Sequence, residues 1–206
     1  TVLIWGLMKH PKTASAILFF VIIALIYDNG LLPPPPPPPP RQLLKTLSYG
    51  RFWLHALFTP TLILFSLFIM REAGIKFAQH TWAAFLFGGL MIIAIIVEYL
   101  LELKELQLKV QEMYGSLSYT SVDNGSGPPL MILIVVLALI FASIVLARSA
   151  KWWWMLLGTA VMTVGSALPF DVGSNVLPNA LELFLMVMLM KTAIHFSKQV
   201  HSNNHH

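Results

Sequence analysis

Apolar residues dominate long stretches of the chain, and short polar segments separate them. Six such stretches comprise Thr13–Leu32, Phe52–Met70, Thr81–Leu101, Leu130–Ala147, Trp152–Leu168 and Pro178–Phe196. Each is close to the ~20 residues with which a helix crosses a ~30 Å hydrocarbon layer. Because lipid offers no hydrogen-bond partner to backbone N–H and C=O groups, such stretches must be helical in a membrane. The pattern predicts an all-α polytopic membrane bundle with six transmembrane helices.

The domain organisation follows from the same pattern. We expect residues 1–198 to form a single integral membrane domain, because no polar stretch is long enough for a separate soluble domain. Residues 199–206 are predicted to be a disordered tail, in which His205 and His206 look like the remnant of a purification tag.

Composition agrees with a membrane class and narrows the function. Charged residues make up 11% of the chain, against about 25% in soluble globular domains. The Lys and Arg residues lie almost wholly in loops and at the ends of the apolar stretches, so they predict the lipid bilayer, and not a nucleic acid, as the partner. Cysteine is absent, which excludes disulfides, thiolate metal sites and cysteine nucleophiles.

Alternating helix direction divides the loops between two membrane faces. Side A carries the N-terminus, the second and fourth loops and the C-terminus, whereas side B carries the first, third and fifth loops. Eight of the 13 Lys and Arg residues fall on side A. This excess predicts that side A and both termini are cytoplasmic. Residues 152–154, all Trp, lie at the edge of side A, where an interfacial aromatic belt is a stronger interpretation than a ligand platform.

Two loops on side B carry distinctive sequences. Residues 33–40 are an unbroken run of proline, which predicts a polyproline II segment extending about 25 Å. We interpret the run as a stiff spacer, with a docking site for an aromatic-lined recognition domain as the alternative. Asn124-Gly125-Ser126 forms a glycosylation sequon on the same side.

The third apolar stretch is predicted to continue as a helix beyond the membrane. Apolar residues recur with 4,3,4,3 spacing at Tyr99, Leu103, Leu106, Val110 and Met113, which is typical of one helix face. The pattern predicts a helix to about Tyr114 and an extramembrane segment over about 102–129. Its apolar face would contact a membrane-protein partner, a second copy of the chain or the protein's own side-B loops.

Polar residues within or beside the apolar stretches form the candidate site, because an unpaired charge is costly in lipid. His55 lies among apolar residues before Thr59-Pro60, which is positioned to kink the helix, and Glu182 shares a helix face with Asn179. All the candidates map to side B. The predicted catalytic residues are His55, Glu98, Asp171 and Glu182, and the predicted substrate-binding residues are Asp28, Arg51, Asn175 and Asn179. We expect His55 and Glu182 to face the same internal space.

The chemistry of this cluster admits several interpretations. An imidazole and a carboxylate can share a metal ion with a water, or act as base and orienting group in hydrolysis. The sequence contains neither an HExxH nor a Gly-x-Ser-x-Gly motif, so it leaves both a metal and a cofactor unknown. Alternatively, the residues pair across helices, Arg51 with Asp28 or Asp171, and His55 with Glu182.

Three functions are compatible with these features. The preferred one is an interface-facing membrane enzyme that acts on a lipid or lipophilic substrate through the His/carboxylate cluster. The alternatives are a cation channel or transporter with an acidic vestibule, and a non-catalytic scaffold or complex subunit. The bilayer midplane lacks ionisable residues, which disfavours a transporter of charged substrates.

Overall fold

The computed structural model describes residues 13–30, 41–104, 106, 108–113, 116–121, 130–167 and 176–203, and these form a predominantly helical bundle. In chain order the elements are α1 (Thr13–Gly30), α2 (Arg41–Phe58), α3 (Thr61–Glu72), α4 (Lys76–Gln79), α5 (Thr81–Glu98), a π-helical segment (Tyr99–Leu103), β1 (Leu108–Met113), β2 (Ser116–Ser121), α6 (Leu130–Ser149), α7 (Trp154–Ala167) and α8 (Val176–Asn203). The predicted proline run and sequon, together with Asp171 and Asn175, lie outside the described residues.

Length and composition make four helical segments of the described chain able to cross a membrane. They are Lys45–Glu72, Thr81–Leu103, Leu130–Ser149 and Leu177–Gln199. Two further apolar helices, Ala14–Tyr27 and Trp154–Ala167, are shorter. The prediction of a helical chain with several helices long and apolar enough to span a membrane is confirmed. The count of six crossings stays a prediction.

A turn at Thr59 and Pro60 joins α2 to α3. The Thr59 N–H donates to the His55 carbonyl at 3.0 Å, and the Ile63 N–H donates to the Pro60 carbonyl at 3.0 Å. Proline has no N–H and is tolerated in the first turn of a helix, where that donor has no intrahelical partner. The turn therefore interrupts the helix where the sequence predicted a kink, and α2 and α3 still form one long apolar segment.

Helix α3 is the centre of the bundle. It packs against α1, α5, α6 and α8. Its buried side chains are Leu62, Ile63, Phe65, Ser66, Leu67, Ile69 and Met70. These positions form a wide arc that covers more than half of the helix circumference, and the half-buried Thr61, Leu64 and Phe68 occupy the remaining face, as expected of a helix that neighbours enclose on most of its sides.

The outer surface of the bundle is apolar. Phe85 of α5 is 77% exposed, Leu137 of α6 is 65% exposed, and Val164 of α7 is 59% exposed. Soluble monomers rarely leave extended apolar surface open to water, whereas lipid covers it in a membrane protein. The exposed apolar surface therefore agrees with the membrane class that the sequence predicts.

Buried hydroxyl groups inside the bundle bond to their own helices. Ser66 Oγ donates to the Leu62 carbonyl at 3.0 Å, and Thr159 Oγ1 donates to the Met155 carbonyl at 2.9 Å. Such back-bonding satisfies a hydroxyl that has no water within reach. These side chains are therefore compatible with a lipid-surrounded interior.

The third helix does not extend as predicted. Its helical structure ends at Leu103, and Leu108–Met113 pairs antiparallel with Ser116–Ser121. The prediction of a helix to about Tyr114 is therefore wrong. Leu106, Leu108 and Val110 also alternate with polar residues, which is the period of a strand. Pairing with Ser116–Ser121 satisfies this alternating period and not the helical one. The strand β2 contacts α2, and the partner of the predicted apolar face stays a prediction.

Helix α8 extends from Val176 to Asn203. Its end lies beyond Lys198, and the predicted end of the membrane domain there, with the disordered tail after it, stays a prediction.

Candidate functional site

A small cavity lies between α1 and α2 beside His55. Its lining residues are Val21, Ala24, Leu25, Arg51, His55, Phe58 and Thr59. The volume is about 20 Å³, which is enough for a single water molecule. Two predicted site residues, Arg51 and His55, are thus brought together, and Thr59 joins them.

Aromatic contacts hold α1 and α2 together on both sides of the cavity. Tyr27 donates its hydroxyl to the Leu47 carbonyl at 3.0 Å, and a Cβ atom at Gly50 would lie 2.9 Å from the Tyr27 oxygen. On the other side of the cavity, the Phe20 and Phe58 rings stack with centroids 6.1 Å apart. Gly50 therefore allows the tyrosine close enough to bond the backbone of α2.

The three polar lining residues lie on one face of α2 and its terminal turn, because they follow one another at intervals of four residues. Thr59 Oγ1 lies 3.2 Å from His55 Nδ1, so the hydroxyl orients the imidazole ring and influences which nitrogen carries the proton. The Arg51 guanidinium carbon lies 5.0 Å from the centroid of the Phe52 ring, within the range of a cation–π contact. Arg51 and His55 are both half-buried.

Glu98 is buried at the last residue of α5. The next residue, Tyr99, has its ring centroid 6.2 Å from that of Trp53, and Trp53 lies two positions before His55. The end of α5 therefore meets α2 at the level of the cavity. This contact places a buried carboxylate at the same end of the bundle as the imidazole.

Glu182 and Asn179 lie half-buried in the first turns of α8. The neighbouring Leu181 packs against Gly165 near the end of α7, and α8 also packs against α1 and α3. The predicted proximity of His55 and Glu182 stays a prediction. Asp171 and Asn175 lie outside the described residues, as does the side chain of Asp28, so the predicted pairing of Arg51 with Asp28 or Asp171 also stays a prediction.

Within the described ranges, no group of three or more His, Asp or Glu side chains is arranged to hold a metal ion. The arrangement described around the cavity is one imidazole with a hydroxyl and a guanidinium as neighbours. An imidazole can accept or donate a proton near neutral pH, and a guanidinium binds carboxylate or phosphate. This chemistry suits an anionic polar group entering an otherwise apolar space.

A second polar cluster lies at the other end of the bundle, the end that the sequence predicts to be side A. Trp152 Nε1 donates to Thr192 Oγ1 at 2.9 Å, and the Trp152 ring stacks on His195 with centroids 3.8 Å apart. Lys191 Nζ lies 3.2 Å from the centroid of the Trp154 ring. The sequence signal for this cluster was present, since two adjacent apolar stretches each carry polar or aromatic residues at their side-A ends, but the specific contacts were not predicted.

Comparison of the chain with protein-family models, with curated proteins and with solved structures gives no match.

Proposed function

We propose that this chain is a multi-pass membrane enzyme that binds a lipid or lipophilic substrate at the side-B interface and acts on it through His55. The observation that carries the proposal is the cavity between α1 and α2, which brings an imidazole and a guanidinium against an apolar lining. Polar groups that converge in apolar surroundings are the general character of a ligand site.

The shape of the cavity suits one part of an amphiphile. With room for about one water, it admits a small polar group and not a whole substrate molecule. The adjoining surface of α1 exposes Phe20, Ile23 and Ile26, over which apolar chains would lie in the bilayer. Arg51 would bind an anionic part of the polar group.

His55 would act as the general acid or base, with Thr59 as a positioning residue that orients its ring. Glu98, Asp171 and Glu182 remain the proposed catalytic carboxylates, and Asp28, Asn175 and Asn179 the proposed substrate-binding residues. Glu98 has the strongest support of the three carboxylates, because it is buried where α5 meets α2.

The proposal includes six crossings, with both termini in the cytoplasm. Helix α7 has 14 residues, which rise only about 21 Å, so a thinned bilayer or flanking aromatic residues must complete that crossing. Because the chain lacks cysteine, single-cysteine variants report topology directly. In sealed right-side-out vesicles, a membrane-impermeant maleimide should label Lys104→Cys on side B and leave Lys76→Cys on side A unlabelled. Labelling of both, or the reverse pattern, would contradict this orientation.

The function is tested with purified protein in nanodiscs that contain a total polar lipid extract. Mass spectrometry follows which lipids the protein retains and which it consumes. Wild type should enrich and convert one lipid class. His55→Ala should retain that class without converting it, and Arg51→Gln should lose retention.

His80→Ala is the matched control, because His80 is exposed and lies after α4 on side A. It should behave as wild type. Thermal unfolding followed by tryptophan fluorescence verifies that each variant is folded. If wild type converts no lipid class, or His55→Ala converts lipid as fast as wild type, the proposed enzyme function is wrong.

A further inference from the structure

The side-A ends of α6, α7 and α8 carry a concentration of positive charge. Arg148, Lys151, Lys191 and Lys198 are all exposed there. Glu72, at the end of α3, is the acidic residue that the described side-A segments contain, and its Oε1 accepts a hydrogen bond from the Ala14 N–H at 3.4 Å. The described part of this surface therefore has a strongly positive balance.

Aromatic side chains lie beside these cations. Trp153 and Trp154 are 59% and 40% exposed, and the Lys191 ammonium lies 3.2 Å from the centroid of the Trp154 ring. The ammonium itself lies over the ring face within cation–π range, which holds the positive charge beside the indole. Lys191 and Trp154 thus form an amphipathic pair at the membrane edge.

Several contacts fix the residues next to Lys191 and Trp154 in place. Trp152 bonds to Thr192 and stacks on His195, and His195 Nε2 lies 3.1 Å from Gln199 Nε2. The α6–α7 turn is also closed, because the Ala150 and Trp152 N–H groups both donate to the Leu146 carbonyl. Lys151 has a φ of 55°, an angle that glycine adopts more readily than lysine. The turn therefore presents a cationic side chain at a position where the backbone conformation favours glycine.

We propose that this surface, formed by Lys151, Lys191, Trp153 and Trp154, binds the headgroup of an anionic phospholipid. The two ammonium groups would contact the phosphate, and the indole rings would lie at the boundary between headgroups and acyl chains. Exposed apolar residues of α7, Leu157 and Val164, continue from Trp154 along the same helix. That continuity favours a ligand with acyl chains over a soluble anion or a soluble protein. This site is independent of the proposed side-B activity.

The test measures which lipids the protein retains. Protein in nanodiscs of phosphatidylcholine mixed with phosphatidylglycerol is released for native mass spectrometry, and bound lipids are counted. Wild type should retain phosphatidylglycerol in excess over its share of the bilayer. Because each basic residue near an anionic surface contributes about 1 kcal/mol, Lys191→Gln should lower that preference roughly fivefold. Lys151→Gly should lower it comparably, without loss of fold.

Three controls separate this site from general electrostatics and from the side-B proposal. Lys191→Arg keeps the charge and should keep the preference. Lys104→Gln removes an exposed lysine on side B and should leave it unchanged. His55→Ala should also leave it unchanged, whatever happens to lipid conversion.

Inorganic phosphate distinguishes a lipid site from a phosphate site. At equal ionic strength, phosphate and chloride should weaken retention equally, because both only screen charge. The proposal is overturned if wild type retains phosphatidylglycerol no better than phosphatidylcholine, if Lys104→Gln has as large an effect as Lys191→Gln, or if phosphate displaces the lipid specifically.

Discussion

The two ends of the bundle use polar and aromatic residues in different ways. On side A, the Trp152 ring is fixed by a hydrogen bond to Thr192 and by stacking on His195. On side B, Arg51, His55 and Thr59 line a cavity between α1 and α2. Direct contact between side chains suits bracing and anchoring, whereas polar groups around a space suit binding. Similar residue types therefore have different roles where side chains meet directly, as Trp152 and His195 do, and where they line a space, as Arg51 and His55 do.

Replacing Trp152 should produce the largest loss of stability. Trp152→Ala removes a large ring, its stack on His195 and its bond to Thr192, so we expect a loss of about 3–5 kcal/mol in the free energy of unfolding. Trp53→Ala at the side-B end should cost less, because Trp53 is 44% exposed. Titration with denaturing detergent from mixed micelles measures both. Equal losses of stability in Trp152→Ala and Trp53→Ala would show that the two ends of the bundle do not differ in how tightly their aromatic residues are held.

Close packing of α7 on α8 should make Gly158 sensitive to even a methyl group. A Cβ atom there would lie 2.6 Å from Met188 Cβ, so Gly158→Ala should cost about 1–3 kcal/mol. Gly88 in α5 is the matched control, since a Cβ atom there meets nothing within 4 Å. Gly88→Ala should be neutral or stabilise by up to about 1 kcal/mol through helix propensity. The same detergent titration applies, and a neutral Gly158→Ala would show that the helices can separate at little cost.

Tyr27→Phe tests whether the tyrosine hydroxyl holds α1 against α2 at the side-B end. The variant keeps the ring on Gly50 and removes the hydrogen bond to the Leu47 carbonyl, so we expect a loss of about 1 kcal/mol. If α1 and α2 open more readily without this bond, hydrogen exchange at α2 amides beside the cavity should also accelerate. Unchanged exchange with unchanged stability would show that the bond does not hold the two helices together.

Thr59→Val should affect function more than stability. Thr59 is half-buried, and its hydroxyl contacts His55 Nδ1 at 3.2 Å. Loss of one hydrogen bond that orients the ring should lower lipid conversion by roughly fivefold, the equivalent of about 1 kcal/mol. The free energy of unfolding should change by less than that. Thr59→Ser, which keeps the hydroxyl, should retain lipid conversion, whereas a purely structural role of the side chain would give Thr59→Ser and Thr59→Val different effects on unfolding and the same effect on conversion.

Part of the candidate site could be predicted from the sequence. His55 was selected because it interrupts an apolar stretch and Arg51 because it lies at the start of that stretch, and both line the described cavity. Thr59 was recognised only as part of a kink, since a threonine before proline is an ordinary turn signal. Whether Glu182 shares the space of His55 depends on the rotation of α8. The apolar residues of α8 occupy all its faces, so periodicity gives no orientation.

The hairpin shows a different limit. Over Leu103–Met113 the apolar residues satisfy a helical spacing and, in part, an alternating one. The choice between them depends on Ser116–Ser121, which pairs with Leu108–Met113 residue by residue. The hydrophobic periodicity of one segment carries no information about the hydrogen bonds that another segment supplies to it.

The sequence by itself determined that the chain is predominantly helical, because apolar stretches of this length leave the backbone no favourable state but a helix in lipid. It also located the main breaks between helices and most of the polar residues that interrupt them. Only the tertiary structure decided that α3 is central, that α7 and α8 meet at Gly158 and Gly165, and that Trp152 contacts His195. The reason is that these helices are apolar on nearly every face, so the shapes of facing side chains, and not a hydrophobic stripe, select which surfaces pack together.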